Sequence, residues 1–131
     1  MEWKYVSPLK DPMSVEAFEA DYSVELPREL KSIVREYNGG WPQKRNFTME
    51  NGEEGSVKRF LSFNTEDKES VWTFNSRESA RHGYTVFAID SFGNYIALRD
   101  LDKKVIFVDN DIDEVTVIAS DFNTFLKCLG E

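Results

Sequence analysis

One cysteine, Cys128, and one histidine, His82, are all that the 131 residues offer in soft metal ligands. A single thiol allows no internal disulfide, so the core has to hold the fold, and a reducing compartment is the simpler setting. Cys128 lies beside Leu126 and Leu129 and is expected as a small buried hydrophobe. One Cys and one His cannot make a zinc site from soft ligands. A Ser-His-Asp mechanism would have to use His82, which stands in the polar run Ser79-Ala80-Arg81-His82-Gly83 with no nucleophile cued beside it. An exposed loop or helix-end histidine is expected there. No apolar run approaches the ~20 residues that span a bilayer. The first residues, Met1-Glu2-Trp3-Lys4-Tyr5-Val6, lack the basic and apolar regions of a signal peptide, so a cytoplasmic protein is expected. Glycine-rich phosphate loops are absent too: neither Asn38-Gly39-Gly40-Trp41-Pro42 nor Ser91-Phe92-Gly93-Asn94 has the required spacing.

Basic excess is also missing. The net charge is −8. Nucleic acid and anionic lipid are held through Lys and Arg contacts to phosphate, so neither is an expected partner. The same field speeds encounter with a basic protein, although acidity can serve solubility alone. What the chain does have is material for a core: 40% hydrophobic residues, with ten Phe, five Tyr and three Trp. The length suits one domain over residues 1–131.

Val15, Phe18 and Tyr22 recur at helical spacing, with Pro12 suited to a first turn. A second helix opens at Pro27. Leu30, Ile33, Val34 and Tyr37 form its apolar stripe, and Asn38 or Gly39 can close it in a left-handed conformation. Pro42 prevents it from resuming. Phe47 and Met49 suit a short strand, and residues 57–63 alternate as a longer one. Thr65, Glu66 and Asp67 predict a capped helix start, with Val71 and Phe74 facing the core. Residues 84–90 and 94–100 flank Ser91-Phe92-Gly93, a hairpin turn with glycine where positive φ is wanted. Val105 to Val108 are apolar on both faces, as in a central strand. A further strand follows. Phe122, Phe125, Leu126 and Leu129 then mark a closing helix with Ser120 as its N-cap. Grouped strands with helices at both ends predict an α+β fold.

Asp109, Asp111 and Asp113 fit the first positions of a calcium loop. Glu114 then stands where the turn needs glycine, and Ser120 where a bidentate carboxylate should close the site, so calcium is rejected. A solvated acidic turn or a negative patch for a basic protein remains. Paired carboxylates such as Glu53-Glu54 and Asp113-Glu114 are not acid–base machinery, which needs two carboxyls in unlike environments. Trp3, Trp41 and Trp72 could anchor an interface, with partial core burial favoured for Trp41. Phe92, at a predicted hairpin tip, either marks an interaction surface or folds down onto the sheet.

Together the segments resemble the SUKH superfamily, the Knr4-like domains. The matching residues are Leu26-Pro27, Tyr37-Asn38-Gly39-Gly40, the Asp90 to Asn94 turn with Gly93, and Phe122 with Phe125 and Leu126. The resemblance implies a mainly antiparallel sheet with helices packed at its face and ends, no catalytic residues, no cofactor and no metal. In bacteria such proteins typically bind and neutralise a polymorphic toxin, often a nuclease. A yeast relative that regulates the cell wall supplies the alternative, a regulatory scaffold. Under that resemblance the partner is a cognate toxin with a basic active-site groove, and the chain is a monomer or weak homodimer. The expected contact lies around Asp109, Asp111, Asp113 and Glu114, or around Glu53, Glu54, Glu66, Asp67 and Glu69, with Phe92 as an apolar anchor.

Overall fold

A computed structural model describes residues 1–75 and 83–131, so the expectation for His82 lies outside the described residues. In chain order the elements are β1 (Trp3–Lys4), α1 (Ser14–Tyr22), α2 (Arg28–Tyr37), β2 (Trp41–Pro42), β3 (Asn46–Thr48), β4 (Glu54–Ser56) and β5 (Arg59–Phe60). They continue with α3 (Val71–Phe74), β6 (Tyr84–Ile89), β7 (Tyr95–Arg99), β8 (Val105–Asp109), β9 (Glu114–Ala119) and α4 (Phe122–Cys128). The fold is α+β. β5 to β9 form a five-stranded sheet in sequence order, every neighbour antiparallel. β1–β2 and β3–β4 form two smaller antiparallel pairs.

The apolar periodicities place the core. In α2, Leu30 and Val34 are buried, while Ile33 and Tyr37 are partly covered, Tyr37 by stacking on Trp3. Val105, Ile106, Phe107 and Val108 of β8 are all buried, as a central strand requires. Phe87 and Phe107 meet one cover of the sheet: Phe87 packs on Phe122 and Phe125 of α4, and Phe107 on Phe47 of β3. Tyr95, on β7, instead meets Phe74 of α3 at 5.7 Å. The Asn75 side chain ties that segment to β6 by accepting from Val86 N–H and donating to Val86 C=O.

Of the two residues expected to take a left-handed conformation after α2, Gly39 does so at φ +67°, while Asn38 keeps −47°. Several other local expectations are corrected. Residues 57–63 do not form one alternating strand. Only Arg59–Phe60 pair with β6, and Phe60, Leu61, Ser62 and Phe63 are all buried. The reason is that Ser62 leaves the sheet to bridge Ser70, and Phe63 N–H bonds to the Asn38 side chain. No helix starts at Thr65. Asp67 turns its carboxylate back onto Ser62 and Ser7, and α3 begins at Val71 with Ser70 as its cap. The cap of α4 is Asp121, not Ser120: its carboxylate accepts from Thr124 N–H at 2.7 Å. Cys128 is exposed rather than buried, because the stripe of α4 turns Phe122, Phe125 and Leu129 inward and leaves Cys128 outside it. Among the described residues no helix is long and apolar enough to cross a membrane.

Candidate partner-binding surface

Two hairpin turns make one end of the large sheet. In the β6–β7 turn, Asp90 is buried and organises the loop as an Asx turn. One carboxylate oxygen accepts from the N–H groups of Phe92 (2.9 Å) and Asn94 (2.8 Å), and the other from the Asn94 side-chain amide. Gly93 takes φ +85°, which closes the turn without strain. Phe92 is therefore held outward, 83% exposed, and does not fold down onto the sheet.

The β8–β9 turn is clamped to it. Asn110 N–H donates to the Asn94 side chain at 3.0 Å, and the Asn110 amide donates to Gly93 C=O at 2.8 Å. Asp109 accepts from Asp111 N–H, and Asp113 takes φ +54°. Asp111, Asp113 and Glu114 are exposed on this rim, with Ile112 at 65% exposure between them. Glu54 joins the same end from β4. It lines with Phe92, Phe47 and Cys128 a groove of about 570 Å³. Its neighbour Glu53 is exposed beside the turn that Asn51 forms by accepting from Glu53 N–H. Among the described residues, none of Asp109, Asp111, Asp113, Glu114, Glu53 and Glu54 is in an ion pair.

Glu66, Asp67 and Glu69 lie elsewhere, beside β5 at the opposite edge of the sheet from β9, and each is engaged. Glu66 pairs with Lys10. Its pKa is lowered first by that hydrogen bond, and the Lys10 ammonium is raised by the same contact. Asp67 accepts from Ser62 at 2.6 Å and from Ser7 at 2.9 Å, and these bonds hold its carboxyl below the usual range, the Ser62 hydroxyl most strongly. Glu69 is shared by Lys58 (3.0 Å) and Arg59 (3.1 Å). The structure thus joins Glu54 and Phe92 to the aspartate turn and separates them from the Glu66 to Glu69 group.

Asp90, Asn94 and Asn110 build the rim; the sequence marks the Asp90 to Asn94 turn only as part of the family resemblance, and Asn110 is not singled out by it. Their signal was available: Asp, Gly and Asn inside five residues form an Asx-turn pattern. Chemically the rim offers exposed carboxylates and an exposed aromatic. Among the described residues no group of three or more His, Cys, Asp or Glu could hold a metal ion. Fixed, unpaired carboxylates around an exposed aromatic can meet a cationic surface and bury an apolar anchor in it.

No curated protein is similar enough to the chain to match it. The family model described as SMI1 / KNR4 family (SUKH-1) matches residues 11–128, from the turn before α1 to the last residue of α4. That span covers most of the chain and takes in both turns of the rim and the Asn38-Gly39-Gly40 corner. The chain belongs to the SMI1 / KNR4 family (SUKH-1).

Proposed function

We propose that the chain is an immunity protein. It binds a cognate toxin of nuclease type and occludes its basic active-site groove, with no bond made or broken. One observation carries this reading: the rim formed by the β6–β7 and β8–β9 turns sets Phe92 beside carboxylates that no described cation neutralises. A nuclease holds phosphate with Lys and Arg, so its groove presents complementary charge. The net charge of −8 steers the encounter, and Phe92 with Ile112 supplies apolar area to the bound state. Family membership supports the class of function, binding of a protein partner.

The test is co-expression with the toxin-like gene beside the chain's own. Rescue of growth, lost when Asp111 and Asp113 become Lys, supports the reading. Toxicity undiminished by the wild-type chain contradicts it. Capture of a kinase or wall-synthesis factor from the native host, with no toxin, points instead to a regulatory scaffold.

A further inference from the structure

Away from the acidic rim, the N-terminal strand builds a surface of the opposite character. β1 pairs with β2 so that Lys4 stands across from Trp41, and cross-strand partners share a face. Tyr5 then takes φ +54°, a left-handed conformation that is unfavourable for an aromatic residue. The strained residue is not buried. Tyr5 is 73% exposed and meets Trp41 edge-on at 5.3 Å. Lys58 and Arg59 also contact the Trp41 ring, at 5.6 and 5.9 Å. Two cations thus lie against the Trp41 ring, and Lys4 stands across the strand pair from it. The Lys58 and Arg59 pair share one carboxylate, Glu69, which leaves positive charge in excess. Lys4 is exposed and in no ion pair among the described residues.

We infer that the Tyr5–Trp41 surface, with Lys4, Lys58 and Arg59, is a second docking site, and that it takes an acidic peptide segment of another protein. Nothing in this depends on the toxin reading. A basic cluster in a chain of net charge −8 is local complementarity to an acidic ligand. A long nucleic acid would meet the repulsion of the whole chain, whereas a short acidic segment meets mainly its nearest charges, because screening limits the rest. Cations already lie against the Trp41 ring, which leaves it poorly placed as a stacking platform for bases. The turn at Tyr5 leads the chain to Ser7, whose N–H donates to Asn38 C=O, and it leaves the Tyr5 ring presented beside Trp41.

The experiment selects a displayed random-peptide library on the full chain and counts binding against a variant carrying Lys4→Glu and Tyr5→Gly. Glycine relieves the positive φ at position 5, so a thermal melt should show the variant at least as stable as the parent. The expected result is a pool enriched in Asp and Glu that binds the wild type about tenfold more tightly than the variant. Three results would overturn the inference: no selection, a pool without acidic bias, or equal binding to both proteins. Tyr5-dependent binding of oligothymidylate tighter than that of the acidic pool would overturn it as well, in favour of a nucleic-acid site.

Discussion

The Gly39 carbonyl accepts two hydrogen bonds from the Arg59 guanidinium, at 3.2 and 2.8 Å, and a Cβ on Gly39 would lie 2.9 Å from that same group. The end of α2 and the edge strand of the large sheet are therefore joined at a point where a side chain would displace the Arg59 tip from its bonds. Gly39→Ala meets both the positive φ and this clash. We expect a loss of about 1–3 kcal/mol, read from the urea midpoint. An unchanged midpoint would show that the corner can open without cost.

Asn38, one residue earlier, is 1% exposed and bonds three ways. It donates to Ser7 C=O and to the Ser62 hydroxyl, and accepts from Phe63 N–H. Asn38→Ala orphans buried backbone groups and should cost about 2–4 kcal/mol. Asn38→Asp keeps the acceptor but loses the donors and places its charge near Asp67, whose carboxylate bonds the same Ser62 hydroxyl. It should be no better than alanine in a denaturant titration.

Asp67 sets an acid limit. Its folded pKa lies below the ordinary 3.8, through its bonds to Ser62, Ser7 and Asn64. A depressed folded value contributes stability that is fully present above the unfolded pKa and lost as pH falls through the folded one. The stability difference between wild type and Asp67→Asn should therefore hold constant near neutrality and shrink below about pH 4. A difference that grows on acidification would reverse the sign and refute this role. Asp102, lowered to about 2 by its bond to Arg99, titrates in the same direction but is exposed and screened.

The rim should be separable from the fold. Phe92→Ser and Ile112→Ser remove exposed side chains and should change stability by less than ~0.5 kcal/mol in thermal melts. Their binding of the proposed toxin partner should weaken at least tenfold. Asp90→Ala, by contrast, releases three hydrogen bonds and should destabilise the turn that presents Phe92.

The fold was legible wherever burial is periodic. The stripe of α2, the apolar run of β8 and the i, i+3, i+4, i+7 pattern of α4 each reflect one face meeting one core, which leaves a direct trace in sequence. Residues 57–67 were misread because non-local polar bonds decide their path. Asn38 and Ser7 lie far along the chain from Ser62, Phe63 and Asp67, and no local propensity reports them. For the surface, Phe92 and its glycine turn could be read locally. The clamp between Asn94, Gly93 and Asn110 joins two turns through sheet register, and only the paired strands reveal it. Similarly, acidic composition gave no means to separate Asp111 and Asp113 from Glu69, which differ only in whether folding brings a cation to them.

The central claim is tested most directly by stopped-flow association of the chain with the proposed toxin partner across a range of ionic strength. The comparison sets Asp111→Asn with Asp113→Asn against Glu25→Gln with Glu36→Gln, a pair of exposed carboxylates elsewhere that makes the same change in net charge. The account predicts that the rim variant associates more slowly and loses more of its salt dependence than the control. Equal rates and equal salt slopes for the two variants would contradict it.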